Sequence, residues 1–381
     1  MKIKQVLINL AIMLASAIAG LFLCELGSRL FLDPVDYLSP IMVRDDILGI
    51  KLPGISGGHD EWGFRNKKVP EAAEIVAIGD SHTYGNAAKM SEAWPHKLAE
   101  LTGKSVYSLS MGGYGPNQYY YLLKTKALGL KPRLVICGLY MGDDFDNAFR
   151  ITYGLNYWAF LRGAGLGNTD PDIWEKETKT EVSWHKRIRN WLSGHSIIYK
   201  LVINGVLAKI KGRFQVENAS KIYPDTTSLI LPDKNVREVF WPKAVLRGLD
   251  QESPSVKEGM RITFKLLHEM NAICASNHIE FIVAVIPTKE SVFSRYLEHN
   301  QKVAMSDYIE KVIANEHLAR QACFDAMKQD NIPYVDLLPA MEKASEGERL
   351  YFYGASDIHP NKNGYRVIAE TISKYVATLN R

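Results

Sequence analysis

The chain has 381 residues, more than a minimal domain needs and enough for one large α/β domain with insertions. Hydrophobic residues make up 46% and charged residues 23%, which excludes wholesale disorder, and 46 Lys+Arg against 42 Asp+Glu leave a charge too balanced for a nucleic-acid binder. Four cysteines, at 24, 137, 274 and 323, form no CxxC pair and no Cys/His cluster, so no structural zinc and no cofactor are expected.

The N-terminus predicts a membrane-associated segment. Lys2 and Lys4 precede an uncharged run from Val6 to Cys24. Nineteen helical residues reach ~28 Å, close to the thickness of a bilayer's hydrocarbon core. Residues 1–24 therefore read as a transmembrane signal anchor and residues 25–60 as a linker. A cleaved signal peptide is the alternative, because Ala15-Ser16-Ala17 and Ala17-Ile18-Ala19 resemble small-x-small cleavage sites. Apolar residues continue through Leu21, Phe22, Leu23 and Cys24, past both sites, which favours the anchor. With the lysines held inside, the expected location is the inner (cytoplasmic) membrane, crossed once, with the body in the periplasm or outside the cell.

From residue 61 the chain alternates strands and helices. Five apolar runs read as buried parallel strands: Ile75–Ile78, Ser105–Leu109, Leu134–Leu139, Ile279–Ile286 and Pro333–Leu337. Helices are expected from a Ser91 cap to Leu101, over Asn117–Leu128, over Val256–Asn277, and along the stripe of Tyr365, Ile368, Ile372, Tyr375 and Leu379. This order predicts an α/β domain over 61–381, a doubly wound parallel sheet with helices on both faces. Cys274 and Cys323 fall near the ends of two helices that each precede a strand; an exported protein could oxidise them. His59, His96 and His185 have no partner pattern and read as surface residues.

Residues 146–254 have no clear place in the alternation and read as a mostly helical insertion. Within it, Ser183–Arg213 carries seven Lys/Arg, no Asp or Glu, and Trp184, Trp191, Ile197 and Ile198 among its apolar residues. It reads either as a helical insertion with its basic face in water, or as an amphipathic helix on a membrane face or an anionic glycan. Asn218-Ala-Ser220 has the form of a glycosylation acceptor.

The strand Ile75–Ile78 runs into Gly79-Asp80-Ser81. A serine just past a parallel strand sits at the carboxyl edge of the sheet, where open α/β folds bind ligands. Such a serine needs a base, and the base needs an orienting group. Asp357-Ile358-His359-Pro360-Asn361 supplies both near the C-terminus: Asp357 can orient His359 and stabilise its cation. His82, next to Ser81, is a weaker candidate base because neighbouring residues on a turn usually point apart.

Four separated blocks resemble those of the SGNH, or GDSL-type, hydrolases. Gly79-Asp80-Ser81 looks like the nucleophile block and Ser110-Met-Gly-Gly-Tyr-Gly115 like the glycine block. Tyr140-Met-Gly-Asp-Asp-Phe-Asp-Asn147 looks like the third block and Asp357-Ile-His-Pro-Asn361 like the Asp/His block. Glu61-Trp-Gly-Phe-Arg65 and Ile286-Pro-Thr-Lys-Glu290 resemble the membrane-anchored bacterial branch. The resemblance implies a flavodoxin-like three-layer sandwich on a five-stranded parallel sheet. It also implies acyl-ester chemistry, in which Ser81 attacks a carbonyl, His359 shuttles the proton and Asp357 orients His359. The N–H groups of Ser81 and Gly113 would hold the oxyanion.

Two positions depart from the family pattern. The family's third block supplies an Asn donor where this chain has Asp143, and an ionised carboxylate cannot donate. Burial protonates Asp143, or its side chain turns aside, or catalysis is slow. Many relatives also place the acid three residues before the His, where this chain has Ser356. The expected function is a membrane-anchored serine esterase acting on small acyl esters, such as acetyl groups, of an extracytoplasmic carbohydrate. Its partners would be that glycan and, through the N-terminal helix, the lipid bilayer. The alternatives are an O-acyltransferase of a cell-surface polysaccharide, or a non-catalytic glycan-binding or assembly subunit on the same fold.

Overall fold

The computed structural model describes residues 2–164, 183–203, 227–231, 236–298, 307–351 and 357–379. The acceptor pattern at Asn218 and the Ser183–Arg213 segment's basic residues 209, 211 and 213 lie outside them, as does Ser356.

The chain begins with α1 (Lys2–Phe31), which is exposed as far as Cys24 and is the one described helix long and apolar enough to cross a membrane. It runs past the apolar segment because Glu25 and Arg29 pair one turn apart at 2.9 Å. Asp33 then caps a short turn at Pro34–Asp36 by accepting from the Val35 N–H. A small antiparallel ladder of β1 (Val43–Asp45) and β2 (Gly49–Lys51) leads into the body.

The body is a three-layer α/β sandwich. Its sheet comprises β3 (Ile75–Gly79), β4 (Val106–Ser110), β5 (Leu134–Tyr140), β8 (Glu280–Ile286) and β9 (Tyr334–Asp336), all parallel, in the order β4-β3-β5-β8-β9. All five expected strands form, within a residue or two of the predicted ends. Alternate residues of each strand feed opposite layers. Val76, Ile78, Val135, Cys137, Val283 and Val285 pack into one core, and Ile75, Ala77, Ile136, Ile282, Ala284 and Ile286 into the other. The first core is covered by α4 (Pro116–Leu122), α9 (Pro254–Ser276) and α12 (Asp307–Gln329); the second by α3 (Trp94–Thr102) and α14 (Lys362–Leu379). The remaining short helices of this half are α2 (Ser81–Tyr84), α10 (Lys289–Val292), α11 (Ser294–Glu298) and α13 (Leu338–Ser345).

Several expectations are corrected. Ser91 does not cap α3; the helix starts after Ala93 with Pro95 in its first turn, and Glu92 instead accepts from the Lys89 N–H at 3.0 Å. The helix expected over Asn117–Leu128 is regular only to Leu122 and widens into a π turn over Leu123–Ala127. His59 is buried, held by the Ser56 carbonyl and the Tyr84 hydroxyl at 2.8 Å each, and half-buried His96 meets the Arg65 carbonyl at 3.0 Å. Cys137, Cys274 and Cys323 share one core as free thiols, so Cys274 and Cys323 do not pair. Burial pushes the Cys274 thiol up to about 12, removing its reactivity.

The stretch over 146–254 is not an appendage throughout. Helix α5 (Asp144–Gly154) packs along α9, buries Phe145, Ala148 and Phe149, and belongs to the domain's own layers. Beyond it come α6 (Trp184–His195), α7 (Ile197–Leu201), a β-hairpin of β6 (Thr227–Leu231) with β7 (Val236–Phe240), and α8 (Pro242–Leu249). The hairpin was not legible in the helical reading of this stretch.

Candidate active site

β3 delivers Gly79-Asp80-Ser81 to the carboxyl edge of the sheet between β4 and β5, at the point where the strand order reverses. Asp80 caps α2, accepting from the His82 N–H at 2.9 Å, so Ser81 opens the helix with its own N–H free of any intrahelical bond. The turn packs tightly on the sheet. A Cβ at Gly79 or Gly138 would lie 2.1 or 2.4 Å from Thr83 Oγ1, so both strands need glycine there. Arg65 holds the far end of the turn, donating to the carbonyls of Gly85 at 2.8 Å and Ala88 at 2.9 Å while paired with Asp36.

The C-terminal loop brings Asp357 and His359 to the same edge. Asn361 fixes the loop: its amide donates to the carbonyls of Arg349 and Tyr351 at 2.9 Å each, and its oxygen accepts from the N–H groups of Asn363 and Gly364 at the start of α14. His359 Nε2 lies 2.8 Å from Ser81 Oγ, and Nδ1 lies 2.7 Å from Asp357 Oδ1. With Nδ1–H donating to Asp357, Nε2 is left to accept from the serine hydroxyl. Burial alone would raise the pKa of Asp357, but hydrogen bonds from His359 outweigh it and hold the carboxyl below the usual range, as an anion.

His82 lies beside His359, with ring centroids 4.8 Å apart, but is bound to other partners. Its ring stacks on Tyr140 at 3.7 Å and its Nδ1 meets Asp80 Oδ2 at 3.1 Å; burial pushes its pKa down, keeping the ring neutral. Gly113 adopts φ +80, a conformation that favours glycine, in the loop after β4. Its neighbour Gly112 lies against Ser81: a Cβ built there would sit 3.6 Å from the serine's and 3.9 Å from Asn86 Nδ2.

Asp143 follows β5 and is half-buried, lining a cavity with one face while its Oδ1 is shut off from solvent. Asp80, Asp143 and Asp144 each place a carboxylate oxygen within 4.8 Å of the others, the one cluster of possible metal ligands among the described residues. Asp80 and Asp144 are already supplied with donors. Asp80 receives both His82 N–H groups, and Asp144 receives the Tyr119 hydroxyl at 2.9 Å and the Tyr140 N–H at 2.8 Å. Asp143 Oδ1 has no hydrogen-bond partner. Burial, then the charges of Asp80 and Asp146, push the Asp143 carboxyl well above the usual carboxylate range. A proton on Asp143 relieves this charge surplus without displacing any of those bonds. Asp143 and His359 line one cavity of about 390 Å³, together with Tyr140, Asn147, Trp241 and Arg247.

Two features here were not among the expected site residues, although Lys289 lies in the Ile286–Glu290 block singled out in the sequence. The Asn86 side-chain amide stands 3.4 Å from His359 Nε2, while the Asn86 backbone carbonyl accepts from the Tyr365 hydroxyl of α14 at 2.9 Å. Lys289 and Glu238 form an ion pair at 2.6 Å, both only 1% exposed, and the ammonium also reaches the carbonyls of Val239 at 3.2 Å and Asp357 at 3.5 Å. This pair joins β7 to the acid's loop. Beside it, burial pushes the Glu290 carboxyl up to about 7.

No family model matches the sequence, and no curated protein does. Solved structures with a similar course of chain carry lipolytic or esterase descriptions. A putative lipolytic protein of the G-D-S-L family from Desulfitobacterium hafniense is 14% identical with a TM-score of 0.38, covering 79% of this chain and 97% of its own. An extracellular lipase from Streptomyces rimosus is 10% identical with a TM-score of 0.42, covering 80% and 99%. A catalytic mutant of Axe2, an acetylxylan esterase from Geobacillus stearothermophilus, is 9% identical with a TM-score of 0.38, covering 80% and 94%. At such identity these likenesses assign neither substrate nor catalytic residues to this chain.

Proposed function

We propose that this protein is a serine esterase of the SGNH type, with Ser81 as nucleophile, His359 as general base and acid, and Asp357 as the group that orients His359. The observation that carries this reading is the unbroken relay from Ser81 Oγ to His359 Nε2 and from His359 Nδ1 to Asp357, at 2.8 and 2.7 Å. Ser81 attacks the ester carbonyl and its proton passes to Nε2; His359 returns that proton to the leaving alcohol. Water, activated by the same imidazole, then releases the acyl group. The N–H groups of Ser81 and Gly113 steady the oxyanion. Asp143, protonated, supplies the third donor from the cavity wall in place of an amide.

The substrate class that fits best is a small acyl ester, such as an acetyl group, on a carbohydrate. In support, the cavity beside His359 is small and lined by Trp241, Arg247 and Asn147, an aromatic face with polar groups at its rim. α1 would anchor the protein in the cytoplasmic membrane with the body beyond it, because its length and lack of charge suit a bilayer. Transfer of the acyl group to a sugar hydroxyl uses the same acyl-enzyme and differs only in the attacking nucleophile.

The test is p-nitrophenyl acetate hydrolysis by the detergent-solubilised full chain against Ser81→Ala. The variant should lose up to about 10⁶-fold in kcat. Equal rates in the two proteins would remove the esterase reading and leave a glycan-binding scaffold.

A further inference from the structure

A second surface of the molecule has a composition the chemistry above does not use. In α6, Trp184, Ile188 and Trp191 recur at helical spacing on one face and are 64%, 49% and 61% exposed. Two tryptophans and an isoleucine left open along one stripe are unusual for a face that meets only water. Arg187 flanks the stripe. Lys186 and Arg189 occupy the far side of a helix about 10 Å across, and the helix contains no acidic residue.

The position of this helix is fixed by α1. Glu25, the first residue after the uncharged run, accepts from the N–H groups of Ile197 and Ile198 at 3.1 Å each and from the Ser196 hydroxyl at 3.0 Å, so it caps α7. Arg29 donates to the His195 carbonyl at the end of α6 at 2.7 Å. On the other side, the Ser39 N–H donates to the Ser193 carbonyl at 2.9 Å and Lys200 donates to Ser39 Oγ at 2.8 Å. The junction of α6 and α7 is therefore held against the point where α1 leaves its apolar stretch. If α1 spans a bilayer, that point lies where hydrocarbon gives way to headgroups, the level at which Trp, Lys and Arg concentrate.

We propose that the Trp184–Ile188–Trp191 face of α6 seats in the headgroup layer of the bilayer that α1 enters, with Lys186, Arg187 and Arg189 drawn to its anionic phospholipids. The proposal rests on the reading of α1 as an anchor. The apolar stripe would bury into the acyl boundary, as in amphipathic helices that lie in the interface plane. An anionic surface attracts Lys and Arg held near it, and the attraction fades over about a Debye length.

The test uses the full chain reconstituted into vesicles of phosphatidylcholine and phosphatidylglycerol, with and without brominated phosphatidylcholine as a tryptophan quencher. α1 contains no tryptophan, and Trp94 and Trp158 are fully buried. Quenching should be at least twofold stronger in the parent than in W184F/W191F. Equal fractional quenching in the two proteins would overturn the proposal. Flotation with the vesicles reports the anchor separately: protein that stays behind sinks the anchor reading, whereas protein that floats with equal quenching sinks only the docking. K186Q/R187Q/R189Q should lower quenching in mixed vesicles to the value in pure phosphatidylcholine. No change would overturn the role of anionic lipid. Disulfide cross-linking of W191C into a dimer in the vesicles would show that a second copy covers the face and would also overturn it.

Discussion

At the carboxyl edge of the sheet, Ser81 and His359 meet across 278 positions of chain, and each is held by polar neighbours: Asp80 behind the serine, Asn361 behind the histidine loop, Lys289 behind the acid. At the corner where α1 meets α6 and α7, the contacts are few and half-exposed, and large apolar side chains face outward. The first region spends its polar groups on each other and presents a small cavity. The second has no core of its own beyond Ile197 and presents a surface. A site that must place atoms to a fraction of an ångström needs enclosure on every side, while a face that meets a fluid layer needs only the right chemistry at the right height.

The largest effect that sharpens this contrast should come from the buried ion pair. Lys289→Met leaves Glu238 enclosed without its cation and should cost about 3–5 kcal/mol in urea unfolding. Replacing both residues by apolar ones should recover most of that loss. A small effect of the single change would mean that water reaches the pair. Next, Asp143→Ala should lower kcat by about 10²–10³-fold, the usual cost of one missing oxyanion donor.

Asp143→Asn keeps a donor, and its signature is in pH dependence. A carboxyl whose folded pKa is raised binds its proton in the folded protein while the unfolded chain has already released it. Stability is then fullest below the ordinary carboxylate range, about 4, and declines as pH rises towards the folded value. The Asn variant should therefore gain stability over the parent from about pH 4 upward, and its activity should fail to drop on the alkaline side where the parent's does. Parallel pH curves for the two proteins would mean that Asp143 is ionised and the donor lies elsewhere. Smallest of all, K186Q/R187Q/R189Q should change urea stability by no more than about 0.5 kcal/mol per site, since those side chains face solvent.

The sheet was legible in the sequence because parallel strands buried on both faces read as short unbroken apolar runs. The serine turn and the Asp/His loop were legible because each carries its chemistry within a few consecutive residues. What escaped was made by distance. Glu238 and Lys289 lie 51 positions apart as the chain is numbered, and nothing in local periodicity pairs them. Asn86 joins His359 through a fold-level contact. His59 resembled any polar loop residue until Tyr84 and the Ser56 carbonyl closed around it. α5 was hidden because Asp144, Asp146 and Asn147 give its first turn a polar composition, although Asp144 points inward to Tyr119 and the Tyr140 backbone.

The grip of Glu25 and Arg29 on α6 and α7 bears on how the proposed esterase, if anchored, would search for substrate. A catalytic body joined to its tether by loose chain could tumble and sweep a hemisphere. Two polar clasps at the root of the tether, one on each of two neighbouring helices, remove that swivel. The mouth beside His359 would keep one heading and one altitude, so that the esters it meets are selected first by how far they stand from the lipid and only then by their shape.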